Sequence, residues 1–284
     1  MSGFRAAHLI SAAGLRDDPP KRLVLLDVRV GVGGPDPDGF LRGHLPGARF
    51  VDADADLAGP ATALSGARPL PQAAPLTAAL RRWGIRSDSA VVVYDDSRSV
   101  PAARAWWVLR WAGLTDVRIL DGGLRAWREA GGAVVSGTGI VAAGNVSARP
   151  GGLPVVDTAA VATLPRRGIL LDARPRTHYR GAGEFAGHIP DAVSAPVFDD
   201  FDEHGLLRDE RTLRARYRDL GLDLATPSAT HCGSAMAAAL QVFVLATLGI
   251  DIALYPGSLS QWTADAARPL VRDDSAAPGP VPSL

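Results

Sequence analysis

This 284-residue sequence has only one cysteine and one lysine, and it has no excess of either charge. Its single cysteine, Cys232, excludes an intramolecular disulfide and a zinc site built from several cysteines, and we expect no metal site. The 30 basic and 30 acidic residues cancel without long runs of one sign, so we expect neither a nucleic-acid partner nor binding to an anionic membrane. Lys21 is the only lysine, and because arginine supplies the remaining basic residues, one arginine is by itself a weak sign of function.

Long apolar runs are missing as well. No stretch approaches the ~20 consecutive apolar residues that a membrane-spanning helix needs. The first fifteen residues lack the basic segment and long apolar core of a signal peptide. We therefore expect a cytoplasmic protein without a membrane segment.

The chain contains one long internal repeat. Three motifs recur in the same order: "LVLLDVR" as "GILLDAR", "GHLPGA" as "GHIPDA", and "DGGLRAW" as "PGSLSQW". The period is far too long for a solenoid, so the repeat indicates two homologous domains of similar size. We expect the first domain over residues 1–136, a linker rich in Gly, Ser and Pro over 137–154, and the second domain over 155–284.

Each half alternates short apolar runs with helical patterns. The runs "RLVLLDV" and "AVVVYD" have the length and composition of buried parallel strands. The segment "ARAWWVLRWAG" places Trp107 and Trp111 on one face of a helix, where we expect them to join the core. The alternation predicts an α/β fold in which each domain is a parallel sheet with helices on both faces.

Cys232 lies where a strand-like run gives way to a helical one. Aligning "AVVVYDD" with "PSATHCG" places Asp95 of the first half opposite Cys232 of the second. Ligands bind beyond the carboxyl ends of parallel strands, and the free N–H groups at a helix start stabilise a thiolate. Gly233 lets the backbone curl around the sulfur, and Ser234 offers a hydroxyl donor. The position favours a reactive thiolate, although a buried, unreactive cysteine also fits it.

The residues around this cysteine argue against a phosphatase. The pair His231–Cys232 resembles the start of a phosphatase loop, in which an arginine six residues after the cysteine grips phosphate. Ala238 occupies that position and the loop carries no positive charge, so the clamp that phosphoryl transfer needs is missing. Because side chains alternate along a strand, His231 should point to the opposite face, and we give it no catalytic role.

The paired "LLD(V/A)R" strands and "GH(L/I)P(G/D)A" turns, with a cysteine loop in the second half only, resemble the tandem rhodanese family of sulfurtransferases. The start "CGS" is similar to the 3-mercaptopyruvate sulfurtransferase branch, whose loop reads Cys-Gly-Ser/Thr-Gly-Val-Thr. The resemblance implies an inactive first domain with an acidic residue, here Asp95, opposite the cysteine. It also implies that Cys232 takes sulfur from 3-mercaptopyruvate or thiosulfate as a persulfide. A thiol, cyanide or a thioredoxin-like protein then accepts the sulfur, and no metal or organic cofactor takes part.

The resemblance assigns two arginines to the substrate. Arg174 in "LLDAR" and Arg180 in "THYRG" match those that hold the carboxylate and keto oxygen of mercaptopyruvate. Arg174 also ends a strand parallel to the one that ends at Cys232, so both side chains can face one crevice. Arg180 fits a solvated loop arginine equally well. His188 recurs as His44 in the inactive half, which favours a structural role.

The loop departs from the family pattern after Ser234, where Ala235, Met236 and Ala237 replace Gly-Val-Thr. If that glycine normally takes a positive φ, Ala235 adds strain or reshapes the loop. The missing threonine removes a hydroxyl donor from the start of the helix.

The mercaptopyruvate branch also brings an acid and a histidine of the first domain near the loop serine. Asp54 in "FVDAD" matches the acid, whereas Arg68 in "GARPLP" stands at the histidine's position. Arginine cannot shuttle protons near neutral pH, but it can offer positive charge to an anionic donor such as thiosulfate. Two other hypotheses stay open: a module that carries persulfide sulfur to a protein partner with little turnover, and a degenerate member with a structural role.

Overall fold

The computed structural model describes residues 3–139, 142–223 and 225–272. The strands of the first half are β1 (Leu9–Ile10), β2 (Leu23–Asp27), β3 (Val30–Gly31), β4 (Gly34–Pro35), β5 (Arg49–Phe50), β6 (Ala90–Tyr94) and β7 (Val117–Leu120). Its helices are α1 (Gly3–His8), α2 (Ala12–Asp17), α3 (Pro37–Arg42), α4 (Ala73–Arg82), α5 (Val100–Trp111) and α6 (Gly123–Glu129).

The second half has the same alternation with fewer strands. Its strands are β8 (Ile169–Asp172), β9 (Val193–Ser194), β10 (Ser228–His231) and β11 (Ala253–Leu254). Its α-helices are α7 (Thr158–Thr163), α8 (Arg176–Tyr179), α9 (Glu210–Asp219), α10 (Met236–Ala246) and α11 (Ser258–Trp262). Single 3₁₀ turns span Leu164–Arg166 and Val197–Asp200.

Two parallel sheets form the two halves, and their strand orders correspond. The first sheet has the order β1-β7-β6-β2-β5 and the second the order β11-β10-β8-β9, with every neighbouring pair parallel. In the second half a parallel bridge between Val155 and Leu254 takes the place of the edge strand β1. The predicted α/β fold with two homologous parallel-sheet domains is therefore confirmed.

The strand registers fix which residues of the two halves correspond. Asp27 of β2 lies beside Tyr94 of β6, and Asp172 of β8 lies beside His231 of β10. The residues that follow these two strands, Asp95 and Cys232, therefore occupy the same place at the carboxyl end of each sheet, as the sequence repeat predicts.

Helices α5 and α10 join the two halves. They pack against each other, and the Trp106 and Phe243 rings form a T-shaped pair with centroids 5.3 Å apart. Both helices are apolar on nearly every side, as expected of helices covered on all faces. Trp107 and Trp111 stack within this core, in agreement with the prediction.

The helices differ in how their first turns are capped. The side chains of Ser11, Asp157 and Asp209 each accept an N–H from the first turn of α2, α7 and α9 respectively. The N-cap residues of α5 and α10, Ser99 and Ala235, make no such bond. The N–H groups that begin these two helices are thus left for another acceptor. No helix among the described residues is long and apolar enough to cross a membrane.

Candidate active site

Cys232 lies in the four-residue connection between β10 and α10 and is 3% exposed. It borders a cavity of about 310 Å³ together with Gly233, Ser234, Met236 and Ala237 of the predicted loop. The cavity is completed by Val100 of the first half and by Arg174, Pro175, His178, Glu184, Phe185 and Phe198 of the second. Nothing in the sequence assigns a role to four of these residues, which are His178, Glu184, Phe185 and Phe198.

A larger cavity of about 370 Å³ lies at the matching loop of the first half, bordered by Asp95, Asp96, Arg98 and Glu203 among others. A carboxylate stands there in place of a thiol. The chemistry of Cys232, rather than the size of the cavity, therefore marks the candidate active site.

The loop that carries Cys232 contains a strained alanine. Ala235 has φ +61°, in the left-handed region, and matches Ser99 with φ +63° in the first half. A side chain in this region costs about 1–2 kcal/mol relative to ordinary helical backbone. The strain that the sequence analysis expected from alanine in place of glycine is present.

Ser258 anchors the same loop, and sequence reasoning missed it. Its buried hydroxyl accepts the backbone N–H of Cys232 at 3.2 Å and that of Ala235 at 3.1 Å, and donates to the Tyr255 carbonyl at 3.0 Å. Ser258 has φ +50°, and the matching residue of the first half is Gly123 with φ +58°. The "PGSLSQW" repeat places this serine, but only the turn geometry brings its hydroxyl under the cysteine loop.

The matching loop of the first half holds an anion on backbone amides. Asp95 is buried, and its carboxylate accepts N–H groups from Ser97 at 2.8 Å, Ser99 at 3.0 Å and Ala102 at 2.9 Å. Burial raises the pKa of Asp95 to about 6 despite these bonds. In the second half, the N–H groups of Gly233, Ser234 and Met236 have no acceptor within the described part of the chain.

Arg68 of the first half reaches the cysteine loop. Its Nη1 donates to Ser234 Oγ at 3.0 Å, and its Nε donates to Asp54 Oδ1 at 2.8 Å. The Arg68 side chain is 32% exposed and that of Asp54 47%, so water screens this ion pair. The structure thus brings Asp54, Arg68 and Ser234 together, as the sequence predicts. The cysteine loop has no charged side chain of its own, and Arg68 is a cation beside it.

Arg174 is buried and holds Asp172 through Nε and Nη2, and Nη2 also donates to the Gly187 carbonyl. Arg29 makes the equivalent bonds to Asp27 and Gly43 in the first half, so this ion pair belongs to the fold.

Arg29 and Arg174 differ in the hydrogen-bond partner of Nη1. Arg29 Nη1 donates to the Gly39 carbonyl at 2.8 Å. Arg174 Nη1 has no acceptor among the described residues, and Arg174 borders the Cys232 cavity. This nitrogen is thus available to an anionic ligand, and the substrate role of Arg174 stays a prediction. Arg180 is exposed at the end of α8 and does not border the cavity, so its role also stays a prediction.

The histidines that the sequence analysis set aside are held by the fold. His188 stacks on Tyr179 with ring centroids 3.7 Å apart, and His44 stacks on Phe40 in the same way at 3.9 Å. His231 is fully buried, its Nε2 lies 3.8 Å from Asp172 Oδ2, and burial lowers its pKa. Burial therefore favours its neutral form, and His231 does not border the Cys232 cavity.

Comparison with known proteins agrees with this geometry. The rhodanese-like domain family matches residues 11–130 and 158–265. A Mycobacterium tuberculosis protein named "Putative thiosulfate sulfurtransferase SseB" is 42% identical over 94% of this chain and 98% of its own. A Pseudomonas aeruginosa protein named "Probable 3-mercaptopyruvate sulfurtransferase" is 38% identical over 83% of this chain and 86% of its own.

A solved structure agrees as well. The crystal structure of SseA from Escherichia coli, described as a 3-mercaptopyruvate sulfotransferase, superposes with a TM-score of 0.76. It is 30% identical and covers 88% of this chain and 98% of its own. The chain belongs to the rhodanese-like domain family, with one such domain in each half.

Proposed function

We propose that the protein is a sulfurtransferase of the thiosulfate/3-mercaptopyruvate type in which Cys232 carries the sulfur as a persulfide. The relatives named above have these activities in their names. In this chain the cysteine is single, borders a cavity, and lies four residues before a helix whose N-cap side chain makes no hydrogen bond.

With thiosulfate, the Cys232 thiolate attacks the outer sulfur, an S–S bond forms to Cys232, and the original S–S bond breaks with its electron pair leaving on sulfite. The product is a persulfide anion on the protein. With 3-mercaptopyruvate the C–S bond breaks instead, the electron pair stays on carbon, and the thiol proton of the donor ends on that carbon to give pyruvate. Attack by a thiol or cyanide on the outer sulfur then releases the Cys232 thiolate.

The single observation that carries the proposal is that three backbone N–H groups donate to the Asp95 carboxylate. A carboxylate oxygen lies two bonds beyond Cβ, and so does the outer sulfur of a persulfide. The first half offers three amides to that position, and the second half has the same strand and helix around Cys232, with a connection one residue shorter. Ala235, which matches Ser99, donates its N–H to Ser258, whereas those of Gly233, Ser234 and Met236 have no acceptor among the described residues. A persulfide anion at Cys232 would therefore meet the N–H groups that have no other acceptor.

The charges around the loop favour thiosulfate as the better donor. Arg68 donates to Ser234 and borders a neighbouring cavity that shares Val100 and Met236 with the Cys232 cavity. Arg174 borders the Cys232 cavity itself. Thiosulfate transfers its sulfur without any proton movement, whereas mercaptopyruvate needs a proton moved to carbon. Arg68 cannot shuttle that proton at neutral pH.

Mass spectrometry of the intact protein after exposure to each donor tests the proposal. We expect a gain of one sulfur atom that maps to Cys232 and is absent from the Cys232→Ser variant. Steady-state rates with cyanide should give a larger kcat/KM for thiosulfate than for mercaptopyruvate. Failure of both donors to give the adduct would overturn the proposal, and an adduct that cyanide cannot remove would favour a sulfur carrier acting through a protein partner.

A further inference from the structure

Arg104 is a fully buried cation that forms no ion pair with any residue the structure describes. It lies on α5, and its Nη2 donates to the carbonyls of Leu57 and Arg68, each at 3.2 Å. Its Nε and Nη1 are buried without any hydrogen-bond acceptor, and no carboxylate of the described chain forms an ion pair with it. An isolated buried charge opposes folding strongly unless something compensates it.

The position of Arg104 connects it to the cysteine loop. Val100, one turn earlier on the same face of α5, borders the Cys232 cavity. The carbonyl that Arg104 holds belongs to Arg68, whose side chain donates to Ser234. Helix α5 packs against α10, which begins just after Cys232. Arg104 thus lies one turn from a residue that borders the cavity and is bonded to the segment whose side chain reaches Ser234.

Arg68 and Cys232 are the two titratable groups whose charges affect the pKa of Arg104. Burial, aided by the charge of Arg68 and opposed by that of Cys232, lowers the pKa of Arg104 to about 10. The guanidinium therefore remains charged at neutral pH. Of these two groups, only the Cys232 sulfur can become an anion.

We propose that Arg104, supplied by the half without a nucleophile, is the buried countercharge for the sulfur anion at Cys232. The proposal rests on the proposed function only in taking Cys232 as the residue that carries the anion. Arg104 acts on that charge through the low-dielectric interior in which it is buried rather than by touching the substrate. It stabilises the thiolate before attack and the persulfide anion after it.

Alkylation of the single cysteine by iodoacetamide tests the proposal without any turnover. Arg104→Gln keeps an N–H donor for the Leu57 and Arg68 carbonyls and removes the charge. We expect its alkylation at pH 7 to be about tenfold slower than that of the unaltered protein, with the pH–rate profile displaced to higher pH. Arg104→Lys, which keeps the charge, should react at close to the original rate.

Arg110 provides the matched control on the same helix. It lies six residues further along α5, about 9 Å along the axis, and is half-buried. Arg110→Gln should leave the alkylation rate unchanged. An Arg104→Gln protein that melts normally and alkylates at the original rate would overturn the proposal, because a purely structural arginine would leave the pH–rate profile in place.

If Arg104→Gln does not fold, a second pair of variants leaves Arg104 in place. Cys232→Asp puts a carboxylate at the site, as Asp95 does in the first half, and Cys232→Asn puts a neutral group of the same shape. At pH 7 we expect Cys232→Asp to melt at or above Cys232→Asn. Melting far below it would contradict a countercharge at Arg104. Should the unaltered protein form no persulfide with any donor, the proposed function fails, while these measurements still decide the role of Arg104.

Discussion

Ser258→Ala is the substitution that tests most directly what holds the cysteine loop in place. The Ser258 hydroxyl is fully buried and makes three hydrogen bonds, accepting the N–H groups of Cys232 and Ala235 and donating to Tyr255. Alanine leaves two buried backbone donors and one carbonyl without this partner. The change leaves the left-handed backbone of residue 258 as it is.

The expected magnitude follows from those bonds. A buried polar group without a partner costs about 1–3 kcal/mol, so the loss of the shared hydroxyl should lower the free energy of unfolding by about 2–4 kcal/mol. Ser258→Gly loses the same hydroxyl but relieves the strain of φ +50°. Because a left-handed side chain costs about 1–2 kcal/mol and glycine loses about 0.5–1 kcal/mol of that through backbone entropy, glycine should be slightly more stable than alanine.

Urea unfolding of the unaltered protein and the two variants measures these differences, and alkylation of Cys232 reports the state of the loop. We expect the order of midpoints to be serine, then glycine, then alanine, with the pH–rate profile of alkylation displaced to higher pH in both variants because the freed loop stabilises the thiolate less. An alanine variant within about 0.5 kcal/mol of the unaltered protein would refute the view that this hydroxyl anchors the loop.

Two further predictions concern the first half. The substitution Arg68→His places a side chain that can shuttle protons between Asp54 and Ser234. Steady-state kinetics with both donors should show that the ratio of kcat/KM for mercaptopyruvate to kcat/KM for thiosulfate rises by about tenfold or more. An unchanged ratio would show that Arg68 does not set donor choice. Burial raises the pKa of Asp95 from 3.8 to about 6, so the stability linked to its protonated form is present below about pH 4 and is lost as pH rises through 6. The melting temperature of the unaltered protein relative to Asp95→Asn should therefore be higher at pH 4.5 than at pH 7.5, by the equivalent of about 2–3 kcal/mol; a constant difference would contradict the shift.

The internal repeat made the frame of the fold predictable. Because each copy has the same strand and turn motifs, aligning them gave the correspondence of Asp95 with Cys232 that the strand registers show. The departure from the family loop at Ala235 was also informative, since a left-handed residue is a local property of the backbone and its φ is +61°. Motifs of this kind are local, and sequence reasoning reaches them.

The groups that surround the sulfur depend instead on how the halves dock. Arg104 is one arginine among many in a chain almost without lysine, and although it lies in the helix predicted to bury Trp107 and Trp111, nothing in the sequence marks it as a buried charge without a carboxylate partner. His178 and Phe198 border the cavity because their segments fold back beside the loop. Ser258 looks like an ordinary turn serine until its hydroxyl is seen to hold two amides.

The packing of the two halves gives a physical reason for the first half to take part in the proposed active site. Residues 238–245 of α10 are buried without interruption, so this helix needs cover on the side that its own sheet cannot reach. Helix α5 provides that cover and brings Arg104 to the junction, while the segment before it brings Arg68 to Ser234. A single rhodanese-like half would leave the face of α10 exposed to water and would present its cysteine loop without either cation. Under the proposed function, the first half would contribute charge and exclusion of water, and the second would contribute the sulfur.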